Sequence, residues 1–420
     1  MSKNARDRRP YIKPVSRLEL DQSNVKLRWI LAAVFFVIAM VAFAIGFHEL
    51  LKTEPGWQSV RAVSDQPNSG TEIVFMYDFS DLGATASSVN KELETQYSQI
   101  SEDAFCIFSP DISGADLKNL NYVNASVNQD ITVDPALYAA FELLERYGNR
   151  SIFLAPVYGE YNRLFSSESD PEAAERDPAK NPEVKAELDV LIRYISDEKM
   201  ISLELLGNNC IRLNVALEYL NFAAENGIEE FVDFGWMRNA FVIDYLAEQL
   251  TNAGYTNGYL SSYDGFTRNL VETEQAFNMN LFNLEGKDIT IPAVMEYTGP
   301  NALVFLHSFP LDELDAWSYY VYEDGNIITS MIDPHDGGSK SSLTSMVGYS
   351  EDYGCAEILL NLAPVFVADT FDAAAVNALT DKNIHSVWFE QGDLFYNEAS
   401  LKLQINADKQ GNRCQATLSK

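Results

Sequence analysis

Phe231-Val232-Asp233-Phe234-Gly235-Trp236 sets an apolar run, an acid and a glycine directly before a segment, 242–250, whose apolar residues recur at helical spacing and whose stop is Gly254. A helix begins with free N–H groups and partial positive charge, so its N-terminus can hold an anionic group. Ile328-Thr329-Ser330-Met331-Ile332-Asp333-Pro334-His335-Asp336-Gly337-Gly338 repeats the arrangement, with an acid after an apolar run and then a turn. Taken locally, each stretch also reads as an ordinary strand end with a cap or turn aspartate.

Outward from these stretches, the pattern predicts a strand over 72–78 and a helix over 86–100, where Val89, Leu93, Tyr97 and Ile100 share a face. Asp134 is placed to cap a helix that has Pro135 at its first position. Further strands are expected at 319–322 and 386–390, around alanine-rich residues of the 370s that favour helix. The acidic, proline-punctuated run 166–182 reads as a solvated loop. Helices and strands mix without regular alternation, which points to an α+β fold.

Residues 29–47, WILAAVFFVIAMVAFAIGF, contain no charge and as a helix span roughly 28 Å, close to a bilayer core. Residues 1–28 carry eight Lys and Arg against three acids, which orients that tail to the cytoplasm and the remainder outward. Beyond the tail, 22 basic residues face 58 acidic ones, a net charge of −36, and such a surface repels nucleic acid. No small-x-small cleavage site follows the apolar run, so it reads as an uncleaved anchor.

Motif chemistry is sparse. The chain lacks G-x-S-x-G, H-E-x-x-H, P-loop and G-x-G-x-x-G sequences. Cys106, Cys210, Cys355 and Cys414 are far apart and show no metal or redox spacing, although an extracytoplasmic compartment permits disulfides.

In order and spacing the two stretches, with their surroundings, resemble the ApbE-type FAD:protein FMN transferases. That family's D-L-G-G-I-A-K-G and the helix after it align from Asp233 to Gly254 without a gap, and its H-I-I-D-P-x-T-G aligns from Ser330 through Asp333-Pro334. Gly70-Thr71, Leu117-Lys118-Asn119-Leu120-Asn121, Val133-Asp134-Pro135 and Glu323-Asp324-Gly325 fall in family order. The resemblance implies an ApbE-like, T-fold-type domain over 70–405, after a tail at 1–28, a transmembrane helix at 29–47 and a linker at 48–69, and before a tail at 406–420. It further implies FAD and Mg²⁺ as cofactors, and transfer of FMN to a Thr or Ser of an extracytoplasmic flavoprotein, a phosphoryl transfer that needs a metal to neutralise the pyrophosphate.

By the same resemblance, Asp233, Asn239, Asp264, Met331 and Asp333 stand at flavin-binding positions, Trp236, Glu357 and Asn361 at metal positions, and Ser330 where the family has its histidine. The departures are concentrated here. Trp236 breaks a glycine pair, Asn239 replaces a lysine, Tyr263 replaces the first glycine of G-G-D, and A-D-A-L-A-T becomes Ala356-Glu357-Ile358-Leu359-Leu360-Asn361. Glu357 and Asn361 still share a helix face and offer oxygen. Asp336-Gly337-Gly338-Ser339 begins like the family's flavin-acceptor motif and breaks at Lys340. Two functions follow as expectations: an active FMN transferase, or a relative with lost catalysis that binds a ligand or a partner. The residues favour the second, because catalysis falls steeply when positioned charges are removed.

Overall fold

Ala302–His307 and Ser345–Ser350 are buried along their whole length, the mark of strands covered on both faces. Alternation then sorts their side chains, and those of His385–Glu390, into two cores. Val304, Leu306, Met346 and Trp388 enter the larger one. Leu303, Phe305, Val347, Tyr349, Val387 and Phe389 enter the smaller one, on the opposite face. The computed structural model describes residues 56–419 apart from 115, 312, 409 and 410.

These three strands are the middle of a nine-stranded sheet. Its order is Trp57–Val60, Ile73–Asp78, Gly258–Ser262, Phe266–Asn269, Ala302–His307, Ser345–Ser350, His385–Glu390, Asp393–Tyr396 and Ala416–Leu418. All neighbours are antiparallel except the last pair. The helices Ala86–Phe108, Arg238–Asn252 and Cys355–Phe366 contribute to the larger core. A small sheet of Ala276–Glu285, Asp288–Thr298 and Lys402–Ile405 contributes Leu281, Ala293 and Met295 to the smaller core. At Gly348 a Cβ would overlap the end of the Leu362 side chain of the covering helix, which would have to shift to admit it.

The α+β expectation holds, with several corrections. The first helix continues from Ala86 to Phe108, since Ser101, Ala104, Ile107 and Phe108 prolong its buried stripe. The run 166–182 is not a solvated loop: it contains the helix Asp170–Arg176, and Tyr320 and Tyr322 donate hydrogen bonds to Asp170 and the buried Asp177. The strand-like run at Phe231 and Val232 joins no sheet, because the Asn124 side chain takes both N–H groups and donates to the Val232 carbonyl. Trp57–Val60 and Ala416–Leu418, assigned from sequence to a linker and a tail, are edge strands of the main sheet. All four cysteines are free. Residues 1–55, with the expected anchor at 29–47, lie outside the described residues, among which no helix is long and apolar enough to cross a membrane.

Asp244, on the second helix, joins three elements. Its carboxylate accepts from the Cys355 and Ala356 N–H groups, both at 2.9 Å, and so caps the helix Cys355–Phe366, while Arg268 from the strand Phe266–Asn269 reaches it at 2.9 Å. Asp244→Ala removes the cap and leaves Arg268 without its carboxylate. The expected cost is roughly 2–4 kcal/mol, read as a lower urea midpoint with an unchanged m-value.

Candidate functional site

Asp233 follows the segment held by Asn124, and its Oδ1 accepts from the Gly235 N–H at 3.1 Å. Gly235 has φ +54°, and the Tyr158 ring packs where a Cβ would stand, so the glycine is required here. A short turn, Gly235–Met237, feeds the helix Arg238–Asn252. Arg238 is gripped by both Glu72 oxygens at 2.9 and 2.8 Å. Asn239 donates to Asp264 Oδ2 at 2.9 Å. Asp264 sits at the turn joining Gly258–Ser262 to Phe266–Asn269, with its Oδ1 buried and without a hydrogen-bond partner. Burial pushes its carboxyl up to about 6. Trp236 Nε1 is likewise buried without a partner.

Three cavities meet at the Trp236 side chain. One of about 250 Å³ is walled by Tyr158, Tyr161, Tyr263 and Trp317 and edged by Asp111, Asp233 and Asp264; Asn239 and Ser330 also line it. A second, of about 470 Å³, is lined by Arg150, Ile332, Asp333 and Leu360. A third of about 50 Å³ lies among Asp264, His307, Ser330 and Met331. Trp236 lines all three.

Asp333 is fully engaged within the protein. Its Oδ1 accepts from the His335 backbone N–H at 2.9 Å and pairs with the His335 ring at 2.8 Å, while Lys340 Nζ lies 3.0 Å from Oδ2. Burial would raise this carboxyl, but His335 and Lys340 outweigh it and hold it below the ordinary range. Lys340 is also bound by Asp336 at 2.7 Å and Asp369 at 2.9 Å, so the residue that breaks the acceptor-like motif is the centre of a carboxylate cluster.

Glu357 and Asn361 do share a face of the helix Cys355–Phe366, and Asn361 donates to the Glu357 carbonyl at 2.8 Å. They do not point into the space around Trp236. Glu357 Oε1 accepts from the Tyr147 hydroxyl at 2.6 Å, with Arg146 at 3.8 Å. Asn361 Oδ1 accepts from Lys382 Nζ at 3.0 Å, and that ammonium lies 5.7 Å from the centre of the Tyr147 ring. A Lys ammonium thus stands against the amide oxygen that a divalent ion at this pair would use. No cluster of three or more His, Cys, Asp or Glu able to hold a metal occurs among the described residues. With Glu357 Oε1 on Tyr147 and Asn361 Oδ1 on Lys382, the pair as it stands does not fit a shared Mg²⁺.

The same architecture occurs in solved structures. The ApbE protein of Thermotoga maritima superposes with a TM-score of 0.53 at 12% identity, covering 79% of this chain and 94% of that one. The flavin transferase ApbE of Vibrio cholerae does so with a TM-score of 0.50 at 11% identity, covering 84% and 97%. The chain has the ApbE fold. No family model matches the chain, and no curated protein matches it in sequence.

On the ApbE fold, the chain brings Asp233, Trp236, Asn239, Asp264 and Ser330 to one cavity and Met331 to its small neighbour, with Asp333 across the indole. Glu357 and Asn361 line none of the three. Tyr147, Lys382, Glu72 and Trp317 were missed from sequence, because each acts on a partner or cavity remote in the chain and no local motif marks it; Lys340, read only as the break in the acceptor-like motif, binds Asp333 and Asp336 seven and four residues away. Asp264 titrates above its ordinary 3.8, so the folded protein keeps a proton that the unfolded chain has lost. Its ionised form therefore costs stability above about pH 6, and the cost vanishes below about pH 4. Asp264→Asn is expected to gain on the native protein by up to about 3 kcal/mol as pH rises from 4 to 7, measured by urea unfolding at each pH.

Proposed function

We propose that this chain is a membrane-anchored extracytoplasmic protein on the ApbE fold that has lost FMN transfer and uses the cleft around Trp236 for binding. The observation that carries this reading is the internal pairing of Glu357 with Tyr147 and of Asn361 with Lys382. Mg²⁺ at Asn361 would have to displace the ammonium of Lys382, and at Glu357 the Tyr147 hydroxyl. Three further features support it. Ser330 has no group that titrates near neutrality; Asp333 has its oxygens taken by His335 and Lys340; and Trp236 with three carboxylates leaves an acidic space that opposes a pyrophosphate.

The anchor rests on the uncharged run at 29–47 and the basic residues before it. With the tail inside and residues 56–420 outside, a membrane-impermeant protease added to intact cells should digest the ectodomain and spare residues 1–28. Protection of the ectodomain until the cells are lysed would remove the localisation.

Loss of catalysis is tested with the full chain in detergent, mixed with FAD, Mg²⁺ and a protein bearing the family's Ser/Thr acceptor motif. No covalently bound, fluorescent flavin should form on the acceptor, and titration calorimetry should detect no Mg²⁺-dependent FAD binding. A flavinylated acceptor would overturn the proposal and restore an extracytoplasmic flavoprotein as the partner.

A further inference from the structure

Two faces of the helix Ala155–Phe165 line different spaces. Tyr158 and Tyr161 belong to the cleft already described, while Ala155, Gly159 and Arg163 line a separate groove of about 550 Å³. The helix Pro182–Ser196 and the end of the helix Leu217–Asn226 form its other walls, and no residue lining it lines a cavity around Trp236. The lining is apolar at Leu188 and Leu191, which are buried, and at the half-buried Phe222 and Ile228. Four glutamates, Glu160, Glu187, Glu229 and Glu230, also line it, with one cation, Arg163, that Glu160 already holds at 3.0 Å. Burial and then the neighbouring Asp111, Asp233 and Glu229 push the Glu230 carboxyl up, as befits a rim whose negative charge is not matched from within. Gly159 adds an independent observation. It is the one glycine inside an α-helix among the described residues, and glycine is a poor helix former. Its backbone is ordinarily helical, and a Cβ there would meet no atom within 4 Å, so neither conformation nor packing within the described protein requires it. A helical glycine that the fold does not need leaves the backbone open to close approach from outside.

We propose that this groove docks an amphipathic helix of a partner protein, with leucine-sized side chains on its apolar face and Lys or Arg along the borders of that face. Such a helix buries its apolar stripe in a groove between helices. Here Gly159 admits the partner's close approach, the wall of Leu188, Leu191, Phe222 and Ile228 takes the stripe, and Glu187, Glu229 and Glu230 meet the basic borders. Charge decides between occupants. A second copy of this strongly acidic ectodomain brings like charge to the rim, whereas a basic helix relieves it. The docking is separate from flavin transfer, because the groove and the cleft around Trp236 share no lining residue.

Three peptides carrying a photoreactive benzophenone serve as probes: a helical Leu/Lys peptide with one apolar face, the same peptide with Glu for Lys, and a Leu/Lys scramble without an apolar face. Each is titrated into, and irradiated with, the full chain in zwitterionic lipid nanodiscs, with empty nanodiscs as the blank, and cross-links are located by mass spectrometry. The amphipathic Leu/Lys peptide is expected to cross-link within 155–163, 184–191 and 222–230, and the other two to bind about tenfold or more weaker. Gly159→Leu puts a better helix former into open space, so the variant should melt at the same temperature or higher while losing affinity for the peptide by about tenfold or more. Glu187→Lys and Glu229→Lys, both at exposed positions, should each weaken the peptide several-fold, whereas Asp288→Lys, exposed on the hairpin of the small sheet, should not. Cross-links outside the groove, equal binding or no binding by the three peptides, or an affinity that survives Gly159→Leu or both glutamate variants overturns the proposal. Self-association of the full chain that Gly159→Leu abolishes also overturns it and assigns the groove to a second copy.

Discussion

The carboxylate of Asp244 is the joint on which the arrangement turns. It fixes the start of the helix Cys355–Phe366 against the helix Arg238–Asn252 and the strand Phe266–Asn269, so the segments bearing Glu357, Asn239 and Asp264 take their relative positions from one group. Gly354 beside it leaves no room for a side chain. Capping bonds from a charged acceptor are among the stronger hydrogen bonds, and here an ion pair shares the same oxygen.

Around that joint, the polar groups that could have faced a ligand have mostly been turned to the protein itself. Arg238 serves Glu72, Asn239 serves Asp264, Asp333 serves Lys340 and His335, and Asn361 serves Lys382. Each pairing removes a charge or a hydrogen-bonding group from the cleft and adds rigidity. Asp264 Oδ1, Trp236 Nε1, Arg150 Nε and Arg268 Nε are buried atoms of this region without a hydrogen-bond partner.

Much of the architecture was legible in the chain because it rests on local rules. Asp134 before Pro135, the stop at Gly254 and the strand expected at 386–390, with its apolar run Val387-Trp388-Phe389, each report nearby physics, and the structure agrees. The collinear order of weak motifs led to the correct fold. The site was only half legible. Sequence could place Glu357 and Asn361 on one helix face, but the groups that engage them, Tyr147 and Lys382, lie 210 and 21 residues away. Asp233 looked like a strand end because Phe231 and Val232 are apolar; the amide of Asn124, 107 residues earlier, satisfies their backbone in place of a ladder. Long-range pairings of this kind leave no periodic trace.

The parallel pairing of Ala416–Leu418 with Asp393–Tyr396 bears on how the protein is made. Residues 416–418 emerge about twenty positions after the strand they protect, so during synthesis the border of the sheet at Asp393–Tyr396 stays bare until they have been delivered. A nascent chain stalled before that point would present the open backbone groups of Asp393–Tyr396 to any neighbour in the same state, and the three-residue strand Ala416–Leu418 replaces that edge with a shorter one.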